Sequence, residues 1–150
     1  MIFSSDELTK FEYNGSEYPL RCDLVVLEKI QNFVGDIIEA EDKLRGYKPR
    51  VDKDGVIDRT TGTWTIPDVA LTVQALVWMM EEGKVVTDGD YDIPTVEEMK
   101  MQDECSVTEM AVPVFREFET CIAGKKKKKK VTETDTSKKT ATGTRTRKRS

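Results

Sequence analysis

The sequence predicts a small α+β domain, mainly helical, over residues 1–124, followed by a disordered basic tail over residues 125–150. Three observations carry that prediction. A long apolar run at helical spacing fills residues 68–82. Two turn dipeptides, Asn14-Gly15 and Asp54-Gly55, sit between segments that can extend, giving an N-terminal hairpin and a second hairpin excursion. From Lys125 onward Lys, Thr, Ser and Arg dominate and no apolar period survives.

Residues 11–18 come first. Asn14-Gly15 suits a two-residue turn because both central positions need positive φ. That register sets Tyr13 opposite Ser16 and Phe11 opposite Tyr18, an aromatic cross-strand pair. Pro19 confines its strand to an edge or an end. Asp23 is placed to cap a helix running to about Val34, with Leu24, Leu27, Ile30, Phe33 and Val34 as its expected buried side and Gly35 as its stop. Asp36 opens a shorter amphipathic helix through Ile37, Ala40 and Leu44, halted at Gly46.

Residues 47–63 are polar and turn-rich, and they carry few candidates for a core. The central helix follows. Thr65 and Asp68 have capping-box spacing, Pro67 suits a first turn, and Gly83 suits a left-handed end. Val69, Val73, Leu76, Val77 and Met80 make one apolar face, and Leu71, Ala75 and Trp78 make another. Only Gln74 and Glu81 mark a wet edge, so this helix is expected to be covered from several directions. Any face left for a partner would draw on Leu71, Trp78, Met79, Phe115 and Phe118.

Beyond a loop at residues 87–92, Pro94 or Thr95 starts a short helix through Val96, Met99 and Met101. Ser106 and Glu109 repeat the capping-box spacing. A last helix then presents Val107, Ala111, Val114, Phe118 and Ile122, with Pro113 expected to kink it or delay its start.

Charge divides the chain. The net charge is −4, but residues 125–150 hold twelve Lys or Arg against Glu133 and Asp135, which is +10. Residues 1–124 hold 12 basic against 26 acidic side chains, which is −14. An acidic body disfavours a duplex-DNA surface there and suits a basic protein partner. The basic tail keeps a second function class open, a small nucleic-acid-associated protein binding non-specifically through residues 125–150. That tail has no interleaved aromatic for stacking and no recognition helix.

Catalytic and metal chemistry find little support. With no histidine, the commonest general base and the Ser-His and Cys-His pairs are excluded. Cys22, Cys105 and Cys121 form no CxxC, and with no basic-then-apolar leader in residues 1–10 they are expected to be free thiols. Residues 52–58 resemble part of a calcium loop. With Gly55 at the sixth position, Arg50 and Thr61 fall where end ligands are needed, so a turn is expected. Asp88, Asp90 and Asp92 read as a solvated acidic loop. Glu81/Glu82 and Glu97/Glu98 are helix neighbours that do not face each other. No glycine-rich phosphate cradle is present, no cofactor is implied, and no run is long enough to span a membrane.

Residues 13–35 resemble the start of the tail assembly chaperones of long-tailed phages and prophages. The matching residues are Gly15, Tyr18, Leu20 and Arg21 in the hairpin, then Leu27, Ile30 and Gly35 in the helix that follows. A short helix, an apolar helix ending at Glu82-Gly83 and a last helix before a charged tail complete the order, so the resemblance covers roughly residues 11–124. It implies a non-enzymatic chaperone that binds the tape measure protein, recruits tail tube subunits in the host cytoplasm and is absent from the mature virion. Self-association stays open. The resemblance also implies a frameshift-extended form. Lys125, Lys126, Lys127, Lys128, Lys129 and Lys130 require six codons beginning with AA, a purine run on which paired tRNAs can slip. A charged lysine tail is the equal alternative.

Overall fold

Two hairpins and five helices follow one another along the described chain: β1 (Thr9–Tyr13), β2 (Ser16–Leu20), α1 (Leu24–Val34), α2 (Ile37–Arg45), β3 (Tyr47–Val51), β4 (Ile57–Trp64), α3 (Val69–Thr87), α4 (Val96–Met101) and α5 (Val107–Ala123). This is a computed structural model, and it describes residues 3–4 and 7–124. The class is α+β with two antiparallel hairpins, as the sequence predicts. The chain divides into two units, residues 1–118 and 119–150. Of the second, the structure describes the end of α5 and Gly124. The expected disordered tail lies outside the described residues.

Local hydrogen bonds place most element ends. In the first hairpin Asn14 and Gly15 have φ of 52° and 77°, and Phe11 faces Tyr18 in the predicted register. Asp23, Asp36 and Asp68 cap α1, α2 and α3 by accepting from the N–H groups of Val26, Ile38 and Leu71. Thr95/Glu98 and Ser106/Glu109 both form reciprocal capping boxes. Thr65 takes no part in capping α3, because Asp68 already serves that end. Pro67 lies outside the helix and is buried. Pro113 lies inside α5, which starts on time at Val107.

The core forms around α3, which packs against β2, α1, α2 and α4. Nine of its side chains or backbone positions are buried, including Leu71, Leu76, Met79 and Met80. Leu20, Ile30, Leu44, Met99, Val114 and Phe118 close around the same centre. Gly83 does not end this helix. α3 continues to Thr87 and stops at Asp88, which takes the left-handed conformation. Gly83 is needed for a different reason: a Cβ there would lie 1.9 Å from the Pro19 carbonyl oxygen. The missing side chain lets strand β2 lie directly on the helix, and the Arg21 N–H donates to the Met79 carbonyl at the same junction.

α1 buries a different side from the one expected. Val26 and Ile30 enter the core, Leu27 and Val34 are half-buried, and Leu24 and Phe33 face outward. Apolar residues lie on both sides of this helix, so spacing alone allowed either choice. In α5 the buried set is Met110, Ala111, Val114 and Phe118, while Ile122 is exposed.

Candidate partner-binding surface

Two apolar surfaces reach solvent, and each is built from residues that the core leaves over. The first runs along α1. Leu24 is 76% exposed, Val25 and Phe33 are about half exposed, and Leu27, Glu28 and Gln31 line a shallow depression beside Leu24. Phe33 meets Trp78 of α3 edge to face, with ring centroids 5.8 Å apart. This T-shaped contact suits two aromatic rings at a helix–helix seam.

The second surface is a groove of about 300 Å³ where the end of α2 and the approach to α3 meet α5. Leu44, Trp64, Pro67, Val112 and Phe115 line it. Trp64 is 70% exposed. Its ring lies 5.0 Å from that of Tyr47, and the Arg45 guanidinium covers both rings at 5.3 and 5.7 Å. Exposed Trp, Tyr and Arg are the residue types that carry most binding energy at protein interfaces.

The second hairpin stands on α2 through one buried carboxylate. Asp42 is 3% exposed and accepts from both terminal nitrogens of Arg59 on β4, one of them at 2.7 Å, and from Arg45 at 3.2 Å. The bidentate arrangement gives direction as well as attraction. At the base, the Thr65 N–H donates to the Gly46 carbonyl and the Asp68 N–H to the Lys43 carbonyl. Gly46 is required there: its φ is +78°, and a Cβ would meet the Thr65 carbonyl oxygen at 2.4 Å. Beside it, residues of α2, β3 and β4 enclose a cleft of about 540 Å³.

A carboxyl pair joins α1 to α3. Glu82 on α3 hydrogen-bonds Asp23, the cap of α1. That bond, then burial, then the Asp23 charge raise the Glu82 carboxyl to about 7, against the pull of Lys29 and Arg21. Burial pushes Asp23 upward, but the Glu82 hydrogen bond, the Val26 N–H and Arg21 outweigh it and hold it below its ordinary value. The pair is absent from the sequence reading, which looked for carboxylates within one helix. Asp23 and Glu82 meet only when α1 lies on α3.

The five partner-contact candidates separate. Leu71, Met79 and Phe118 are fully buried and form core, which corrects their placement on an open face. Helix α3 is covered from four sides, so it keeps no broad face for a partner. Trp78 and Phe115 are half-buried and sit one on each of the two surfaces. Leu24, Val25, Phe33 and Trp64 are the residues the sequence reading missed. An exposed tryptophan in a polar, turn-rich segment was the available signal. Lys125, Lys126, Lys127, Lys128, Lys129 and Lys130 lie outside the described residues.

The loop at residues 52–58 is a turn. The Asp52 carboxylate accepts from the Asp54 and Val56 N–H groups, both at 2.9 Å, and Gly55 has φ of +81°. Asp58 is likewise engaged by Thr60 and Thr61. No described helix is long and apolar enough to cross a membrane. Compared with known proteins, the chain matches no family model, no curated protein and no solved structure.

Proposed function

We propose that the chain is a tail assembly chaperone of a long-tailed phage or prophage, binding the tape measure protein and recruiting tail tube subunits in the host cytoplasm, outside the mature virion. The observation that carries this reading is the apolar side of α1, with Leu24, Val25 and Phe33 turned to solvent on a well-capped helix. A contiguous apolar face of this kind is what a helix-binding protein offers to an amphipathic or coiled-coil partner. The acidic body, −14 over residues 1–124, supports a partner with basic flanks. The resemblance of residues 11–124 to the chaperone family supplies the identity of that partner.

Calorimetric titration of the purified chain with the tape measure protein encoded beside it is the test. Binding is expected, and Leu24→Ser with Phe33→Ser should weaken it at least about tenfold while the fold is kept. Absence of binding, or equal binding by the double variant, sinks the reading. Deleting residues 125–150 should leave this contact intact, whereas a nucleic-acid-associated protein acting through those residues would lose its function. The frameshift proposal has its own check. Synonymous AAG-rich codons at Lys125, Lys126, Lys127, Lys128, Lys129 and Lys130 should abolish any longer product while preserving the 150-residue chain.

A further inference from the structure

Charge is segregated within the folded body as well as between body and tail. Residues 43–67, which build the second hairpin and its base, hold six basic and three acidic side chains, +3. The rest of residues 1–124 holds 6 basic and 23 acidic side chains, −17. Of the arm's cations, Arg45 and Arg59 are held by Asp42, and Lys43 pairs with Glu39 and Asp68. Lys48, Arg50 and Lys53 are exposed and have no ion-pair partner among the described residues. Of the arm's acids, Asp52 and Asp58 are engaged within their own turns. All eight residues of β4 are exposed, and Val51, Val56 and Ile57 make an apolar tip in solvent.

The opposite character is found at α4. Residues 88–109 hold eight acids against Lys100 alone, −7. The first hairpin adds to this face: the Asn14 N–H donates to the Glu104 carboxylate at 2.9 Å, and the Cys105 thiol donates to the Glu12 carbonyl. The field is strong enough to act on neighbours. Burial first, then the charges of Glu104, Glu109 and Glu12, push the Cys105 thiol up. In the middle of these acids Met101 is 85% exposed. A bare, flexible thioether ringed by carboxylates is a mirror image of an apolar tip ringed by cations.

We propose that the arm of one copy docks on the acidic α4 face of a second copy, its tip against Met101 and Lys48, Arg50 and Lys53 against Glu97, Glu98, Asp103 and Glu104. The occupant is a second copy because this chain itself carries the matching surface. A nucleic acid reaching the arm would meet repulsion from the rest of the body at −17. The two surfaces differ, so the contact is head to tail: each copy offers one arm and one face, and association builds a ring or an open row. This inference is independent of the chaperone reading.

Sedimentation velocity on the intact 150-residue chain tests it. The wild type should associate at about 50 mM salt, with affinity falling at least about tenfold at about 500 mM, because exposed charges are then screened. Lys48→Glu with Arg50→Glu should sediment as a monomer where the wild type associates, and so should Glu97→Lys with Asp103→Lys. None of these four side chains has a hydrogen bond in the fold, and circular dichroism checks that both variants keep their helices. An equimolar mixture of the two variants should regain association, since each then offers the charge that the other lacks. A wild type that stays monomeric to about millimolar concentration overturns the proposal. So does association untouched by the arm reversal, which would point to residues 125–150, or a mixture that fails to recover. Arm-dependent binding of a single-stranded oligonucleotide by a chain that stays monomeric would assign the arm to nucleic acid instead.

Discussion

Helix α3 and the β3–β4 arm follow one another in the chain and are of similar length, yet they are held in opposite ways. α3 buries nine of its positions and is packed by four other elements. β4 buries none of its eight, and its arm rests on α2 through Asp42, a few backbone bonds at its base and the Arg45–Tyr47–Trp64 stack. The lesson is that burial fixes α3 many times over, whereas one buried carboxylate orients the arm. Redundant packing suits a scaffold, and a singly tethered hairpin leaves its surface available to another molecule.

The comparison can be broken most severely in the core. Phe118→Ala removes a fully buried ring and should cost about 3–5 kcal/mol in denaturant unfolding. The arm should lose its orientation through a single change. Asp42→Ala abolishes hydrogen bonds to two guanidinium groups, each partly exposed and able to rehydrate, for about 1.5–3 kcal/mol. Hydrogen exchange should then accelerate in β3 and β4 far more than in α3. Uniform acceleration would mean that the arm and the core unfold as one.

Even the core has one imperfect place. The Thr72 hydroxyl is buried without a hydrogen-bond partner among the described residues. Thr72→Val keeps the shape and removes that hydroxyl, so it should raise stability by about 1–3 kcal/mol in the same measurement.

The junction between α1 and α3 adds a pH dependence. Folded Glu82 holds its proton up to about 7, above its ordinary 4.5, so the folded state binds more protons than the unfolded state between those values. Stability should fall as pH rises through that window and level off above it. Asp23 has the opposite sign. Its folded value lies below 3.8, and its contribution is lost only as pH falls below that range. Tm measured from pH 4.5 to 8 should therefore decline, and Glu82→Gln should flatten the decline. The smallest effect belongs to the open surface. Leu24→Ser should change unfolding by no more than about 0.5 kcal/mol, since the side chain is already in water.

What the sequence determined by itself was whatever is settled within about four residues. Asn14-Gly15 set a turn and, through it, the whole register of the first hairpin. Asp23, Asp36, Asp68, Thr95 and Ser106 marked helix starts, because a short polar side chain satisfies backbone N–H groups only two or three residues ahead. Gly35 and Gly46 marked stops in the same local way. The tertiary structure decided everything that depends on which surfaces meet. Gly83 has the features of a helix end, but it is a point of close approach to Pro19, sixty-four positions earlier in the chain. α1 is apolar on two sides, and contact with α3 selected Val26 and Ile30 over Leu24 and Phe33. Asp42 with Arg59, and Asp23 with Glu82, are unremarkable letters in the sequence. They became a tether and a shared proton only when folding removed the water that would otherwise have kept each charge solvated alone.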